Sequence, residues 1–163
     1  MRTDTGHVFK LTDYKPTDFV VERIDLTFEL DPKATTVVSR VILHRREGVA
    51  KDAPLVLDGD ELALDDLLLD GVEMDPALYE ATPDSLTING LPESTPFEIT
   101  VTTTLSPETN TKLMGLYRTN GVYCTQCEAE GFRKITYYPD RPDVMAPFTV
   151  RIEGDEPVML SNG

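Results

Sequence analysis

From Ile24 to Leu30 every second residue is apolar: Ile24, Leu26, Phe28 and Leu30 alternate with Asp25, Thr27 and Glu29. Side chains of an extended chain point to opposite faces in turn, so this spacing sets one face of a strand against a core and the other in water. Asp31-Pro32 ends the run. Residues 36–45 then return with Val37, Val41 and Leu43 on one side and Val38, Arg40, Ile42 and His44 on the other, which predicts a hairpin over a short loop. The two-residue period recurs in Phe97, Ile99, Val101 and Thr103, the clearest strand of the chain, and in Phe148, Val150 and Ile152. Leu55-Val56-Leu57-Asp58-Gly59 and its echo Leu67-Leu68-Leu69-Asp70-Gly71 read as strands running into Gly turns, the leucines around residues 64–68 leaving one helical turn as the alternative. Leu86 and Ile88, closed by Asn89-Gly90, add a further strand. Many short strands and no helix of ordinary length predict an all-β fold, an antiparallel sandwich or saddle, after an irregular lead-in over residues 8–18.

At 163 residues and 40% hydrophobic content the chain can bury a core as one domain, residues 1–163, without disulfides or metals. It closes on Ser161-Asn162-Gly163, a turn signal that calls for a returning strand, so the domain reads as incomplete, cut before its last strands. Acidic residues outnumber basic ones 29 to 15, for a net charge of −14. That balance excludes nucleic acid as the expected partner, because its phosphates need clustered cations. The acids alternate with apolar positions as solvated strand faces do, and their field favours a cationic ligand such as a peptide amino terminus. No apolar run approaches the roughly 20 residues of a membrane span, and the polar opening from Met1 to His7 is unlike an export signal. The expected location is the cytoplasm.

The least generic stretch is residues 124–144. It holds both cysteines, Glu128 and Glu130, Arg133 and Lys134, two adjacent tyrosines and Pro139 and Pro142. It fits neither periodic template and reads as an ordered loop, the usual carrier of function. Pro142 near a first helical position points to a short turn of helix through Val144, Met145 and Ala146. Cys124-Thr125-Gln126-Cys127 has three readings: half a zinc site, a redox pair, or two reduced thiols placed for packing. A structural zinc site requires two further ligands, and only His7 and His44 are on offer, in distant segments. A redox pair requires a helix start to stabilise the thiolate. The chain has no His-Glu-x-x-His and no Gly-rich phosphate loop, so it carries no catalytic set of its own. Gln126 and Glu128, one residue apart, present an amide and a carboxylate on one side of an extended segment, a combination suited to an ammonium group. The competing reading pairs Glu128 with Arg133 or Lys134 as a brace.

Gly115-Leu116-Tyr117, residues 124–131, residues 137–144, Phe148 and the closing Leu160-Ser161-Asn162-Gly163 together resemble the bacterial aminopeptidase N (alanyl aminopeptidase) branch of the M1 zinc aminopeptidases. Gln126-Cys127-Glu128 matches the Gln-x-Glu by which the family's amino-terminal domain reaches its active site. The resemblance implies that Glu128 helps hold the substrate's free amino group and that Gln126 lines the first side-chain pocket. It also implies a parent enzyme that removes single residues from peptide amino termini. The zinc, its ligands, the general base and the Gly-x-Met-Glu-Asn glutamate would lie in a catalytic domain of the same polypeptide, leaving this chain inactive alone and with no metal of its own. Arg141, and the lack of a cysteine where many relatives read Pro-Cys-x-Asp-Glu-Pro, favour the bacterial branch. The reading that competes from another class is a non-catalytic β-sandwich module that binds a protein partner.

Overall fold

The computed structural model describes residues 10–161. Eleven strands make up nearly all of its regular structure: β1 (Phe19–Glu29), β2 (Thr35–Arg45), β3 (Leu55–Asp58), β4 (Leu64–Leu69), β5 (Val72–Glu73), β6 (Tyr79–Thr82), β7 (Ser85–Ile88), β8 (Phe97–Leu105), β9 (Gly115–Thr119), β10 (Val122–Gln126) and β11 (Phe148–Glu153). They form a six-stranded sheet in the order β11-β1-β2-β8-β4-β5, a three-stranded sheet β3-β7-β6 and the two-stranded ribbon β10-β9. The fold is all-β and almost wholly antiparallel, as the alternation predicts. Among the described residues the one parallel pair joins β1 to β11, Ile24 opposite Phe148 and Phe28 opposite Ile152.

The hairpin of β1 and β2 forms because the apolar period is satisfied on both strands at once. Ile24, Leu26 and Phe28 are buried on one, Val37, Val41 and Leu43 on the other. A register shift between Val21 and Arg23 keeps Phe19 and Val21 on the same buried face as Ile24. On β8, Phe97, Ile99, Val101 and Thr103 point inward as expected, and Leu67 of β4 joins them. Leu55, Leu57, Leu86 and Ile88 bring the small sheet into the same continuous core. Both Leu-Asp-Gly segments contain strand, so the helical alternative around residues 64–68 is not taken.

Two expectations need correction. Cys124 to Gln126 is not loop but the end of β10, because its backbone pairs with β9. The helical turn through residues 144–146 does not form; a single turn closes from Val144 N to Arg141 O at 3.0 Å, and a 3-10 turn appears earlier, at Phe132–Lys134. Residues 133–138, in the same stretch, belong to the interior: Tyr137 and Tyr138 are core residues, and even Arg133 and Lys134 are buried. Polar side chains fill that interior because each charge finds a partner there. The lead-in holds a 3-10 turn at Leu11–Asp13. The expectations placed on residues 1–9, His7 among them, and on the closing Asn162-Gly163 fall outside the described residues.

Candidate ligand-binding site

The ribbon that carries the Gln-Cys-Glu segment owes its shape to Asn120-Gly121. Both residues adopt positive φ, 49° and 83°, the left-handed pair that a tight hairpin turn demands and that Asn-Gly tolerates best. That signal lies in plain sight between Gly115–Thr119 and Val122–Gln126, and reading residues 124–144 as one loop overlooks it. Ahead of the ribbon, the Asn110 amide donates to Met114 O at 2.8 Å and Leu116 O at 2.9 Å, fixing the start of β9. After Gln126 the chain reverses at once, Gly131 N donating to Cys127 O at 2.8 Å. A Cβ on Gly131 would lie 2.6 Å from Gln126 O, so only glycine permits so close a return.

Gln126 and Glu128 are brought together, but not as a simple alternation along a strand. Gln126 ends β10, Glu128 stands in the turn beyond it, and Gln126 Nε2 donates to the main-chain oxygen of Glu128 at 3.3 Å. Both residues are exposed. Among the described residues, neither the Glu128 carboxylate nor the Gln126 amide oxygen has a hydrogen-bond or ion-pair partner. The Glu128–Ala129 peptide is cis.

The two cations expected to brace Glu128 are committed elsewhere. Arg133 Nε and its backbone N–H both donate to Asp140 Oδ2 at 3.1 Å, and Nη2 donates to Asp140 O at 2.7 Å. Nη1 lies 3.7 Å from Glu130 and 3.9 Å from Asp58. Burial disfavours the charged guanidinium, but the Asp140 hydrogen bond and the carboxylates of Asp58, Glu130 and Asp140 outweigh it and hold it charged. Lys134 Nζ reaches Glu61 at 2.8 Å and Asp60 at 3.3 Å. The buried ion pairs of this segment leave no signal in the sequence, because nothing local links Arg133 to Asp58 or Lys134 to Glu61.

Beside the turn runs a groove of about 830 Å³ lined by Leu26, Phe28, Cys127, Phe132, Tyr138 and Phe148 among others. Phe132 sets its ring edge-on to Tyr138 at 5.0 Å and to Phe148 at 5.6 Å, tying the turn to the parallel strand β11. Burial, with the charge of Asp140 second, pushes the Tyr138 hydroxyl up to about 12. The same two causes in the same order push the Cys127 thiol up, which opposes a thiolate there. Cys124 and Cys127 are free thiols. His44 sits on the half-exposed face of β2 against Glu22. Among the described residues no three His, Cys, Asp or Glu side chains are grouped to hold a metal ion, and no helix is long and apolar enough to cross a membrane.

Residues 15–163 match the profile of the peptidase M1 N-terminal domain. The chain belongs to that family. It is 44% identical over 165 residues to an aminopeptidase N of Caulobacter vibrioides, an alignment that covers 100% of this chain and 19% of the relative. Among solved structures it superposes on aminopeptidase A of Legionella pneumophila, crystallised with aspartic acid, with a TM-score of 0.80 and 37% identity, over 88% of this chain and 17% of that one. An M1 zinc metallopeptidase of Deinococcus radiodurans shares the fold at 19% identity and a TM-score of 0.67, over 83% of this chain and 32% of that one. The chain thus spans about a fifth of the length of the aminopeptidase N it matches. The metal named for such relatives finds no seat among the donors described here: two cysteines, one with its thiol pushed up, do not make a site.

Proposed function

We propose that this M1 N-terminal domain supplies substrate recognition to a zinc-dependent aminopeptidase of the aminopeptidase N type, located in the cytoplasm, that removes single residues from peptide amino termini. In this reading the zinc-bearing catalytic domain belongs to the same polypeptide, in the length by which the relatives exceed this chain, and the chain alone is inactive. The observation that carries it is the exposed, unpartnered Glu128 carboxylate, in a turn that the Gln126 amide closes through the Glu128 main-chain oxygen and whose two nearby cations are bound to other acids. An ammonium group is the ligand that such acceptors suit: the carboxylate supplies charge and the amide a neutral acceptor, while the −14 net charge draws cations toward the surface. Holding the amino end fixes where the first peptide bond lies, and positioning of that kind accelerates a reaction by large factors.

The test is Glu128→Gln in the full-length enzyme. The substitution keeps shape and most hydrogen bonding but removes the charge, and a hydrogen bond to a charged partner is worth about 1.5–3 kcal/mol. We expect kcat/KM to fall roughly ten- to a hundredfold with metal content unchanged. An unchanged kcat/KM would overturn the reading.

A further inference from the structure

We propose that Arg133 is a positioning residue for the amine-binding turn, holding Asp140, Asp58 and Glu130 around one buried guanidinium so that Glu128 is the carboxylate of the turn left without a cation partner. The inference rests on the role given to Glu128 above. Arg133 is 7% exposed, and a guanidinium removed from water must be matched in both charge and hydrogen bonds. It is matched by three segments. Asp58 ends β3, Glu130 belongs to the turn after β10, and Asp140 follows the buried tyrosines. The main chain adds a fourth tie, Asp60 N donating to Arg133 O at 3.0 Å.

Two acids of the same turn are thereby treated differently. Glu130 is drawn to Arg133 at 3.7 Å, three positions away on the tight turn, while Glu128 finds no cation. Lys134, the other nearby cation, is turned away from the site to Asp60 and Glu61. Without the guanidinium, Asp58, Glu130 and Asp140 would face one another uncompensated, and that end of the turn would keep only the Phe132 ring contacts and its main-chain hydrogen bonds. Lysine is a poor substitute, since one ammonium cannot reproduce the fork that spans the side chain and main chain of Asp140.

The experiment measures the affinity of the full-length enzyme for a zinc-binding inhibitor with a free α-amine and for its des-amino counterpart. It compares Arg133→Lys, Glu128→Gln and the double variant. We expect Arg133→Lys to weaken the amine inhibitor about tenfold and leave the des-amino one unchanged, and the double variant to be no worse than Glu128→Gln alone, as expected of residues acting through one contact. A purely structural role would lower thermal stability but weaken both inhibitors alike. An unchanged ratio in Arg133→Lys, or losses that simply add, overturns the proposal while leaving Glu128's role standing if Glu128→Gln still lowers the ratio. An unchanged ratio in Glu128→Gln overturns both. Should Arg133→Lys fail to fold, Asp140→Asn carries the same comparison, with a loss confined to the amine inhibitor of about threefold expected and an equal ratio overturning the proposal.

Discussion

The ring of Tyr137 lies so close over Gly59 that a Cβ placed there would stand 2.6 Å from Cε1 and 2.9 Å from Cδ1. The ring has little freedom to retreat. Its hydroxyl donates to Thr82 O at 2.6 Å, its body is 1% exposed, and the third near atom, Pro83 O at 3.0 Å, is backbone. Gly59→Ala should therefore act as overpacking and cost about 1–3 kcal/mol. Denaturant unfolding checks it, and an unshifted midpoint would mean that the ring yields after all.

Glu61 bridges Lys112 at 2.5 Å and Lys134 at 2.8 Å, and the hydrogen bonds from those two ammonium groups, Lys112 first, lower its pKa from the ordinary 4.5 to about 2. A carboxyl whose folded pKa is depressed contributes stability that is complete above 4.5 and disappears as the pH falls through about 2. Because the carboxylate is largely exposed, solvent screens most of the effect. Glu61→Gln should lower Tm near neutral pH by only about 1–3 °C. The gap between wild type and variant should close as acid is added through that window, and a gap that persists at its lower end would show that charge is not the cause.

Cys127 offers a chemical check on the dithiol. Its thiol, half-buried and near Asp140, is raised above the ordinary 9.0. Alkylation followed by mass spectrometry over a pH series should place the midpoint of Cys127 above that value. A midpoint well below it would revive the redox reading of the two cysteines.

The parts of the fold legible in the sequence are those with a period. Ile24-Leu26-Phe28 and Phe97-Ile99-Val101 each satisfy one face of a sheet by themselves, so alternation alone finds them. The partner of a strand is another matter. Nothing in Phe148-Val150-Ile152 says that it will lie parallel to β1, since parallel and antiparallel edges present the same apolar spacing. Arg133 and Lys134 mislead for a related reason: their charges argue exposure, and only carboxylates far along the chain, Asp58 and Glu61, make their burial affordable. At the candidate site the sequence offers Gln126 and Glu128 as an amide and a carboxylate close together, and their exposure is what the structure adds. Which acid of the turn stands within reach of a cation is not legible there, because Glu128 and Glu130 are indistinguishable until the guanidinium is placed between the segments.

The parallel pairing of β1 with β11 also sets an order of events during synthesis. Ile24 must wait for Phe148, and at about 5–20 residues per second a ribosome takes roughly 6–25 s to travel from one to the other. Through that interval β1 has β2 on one side and an open ladder edge on the other. A nascent chain in this condition is exposed to strand addition by its neighbours, and polysome crowding or a pause in translation before residue 148 prolongs the exposure. Among the described strands, the last is thus the guard on the first.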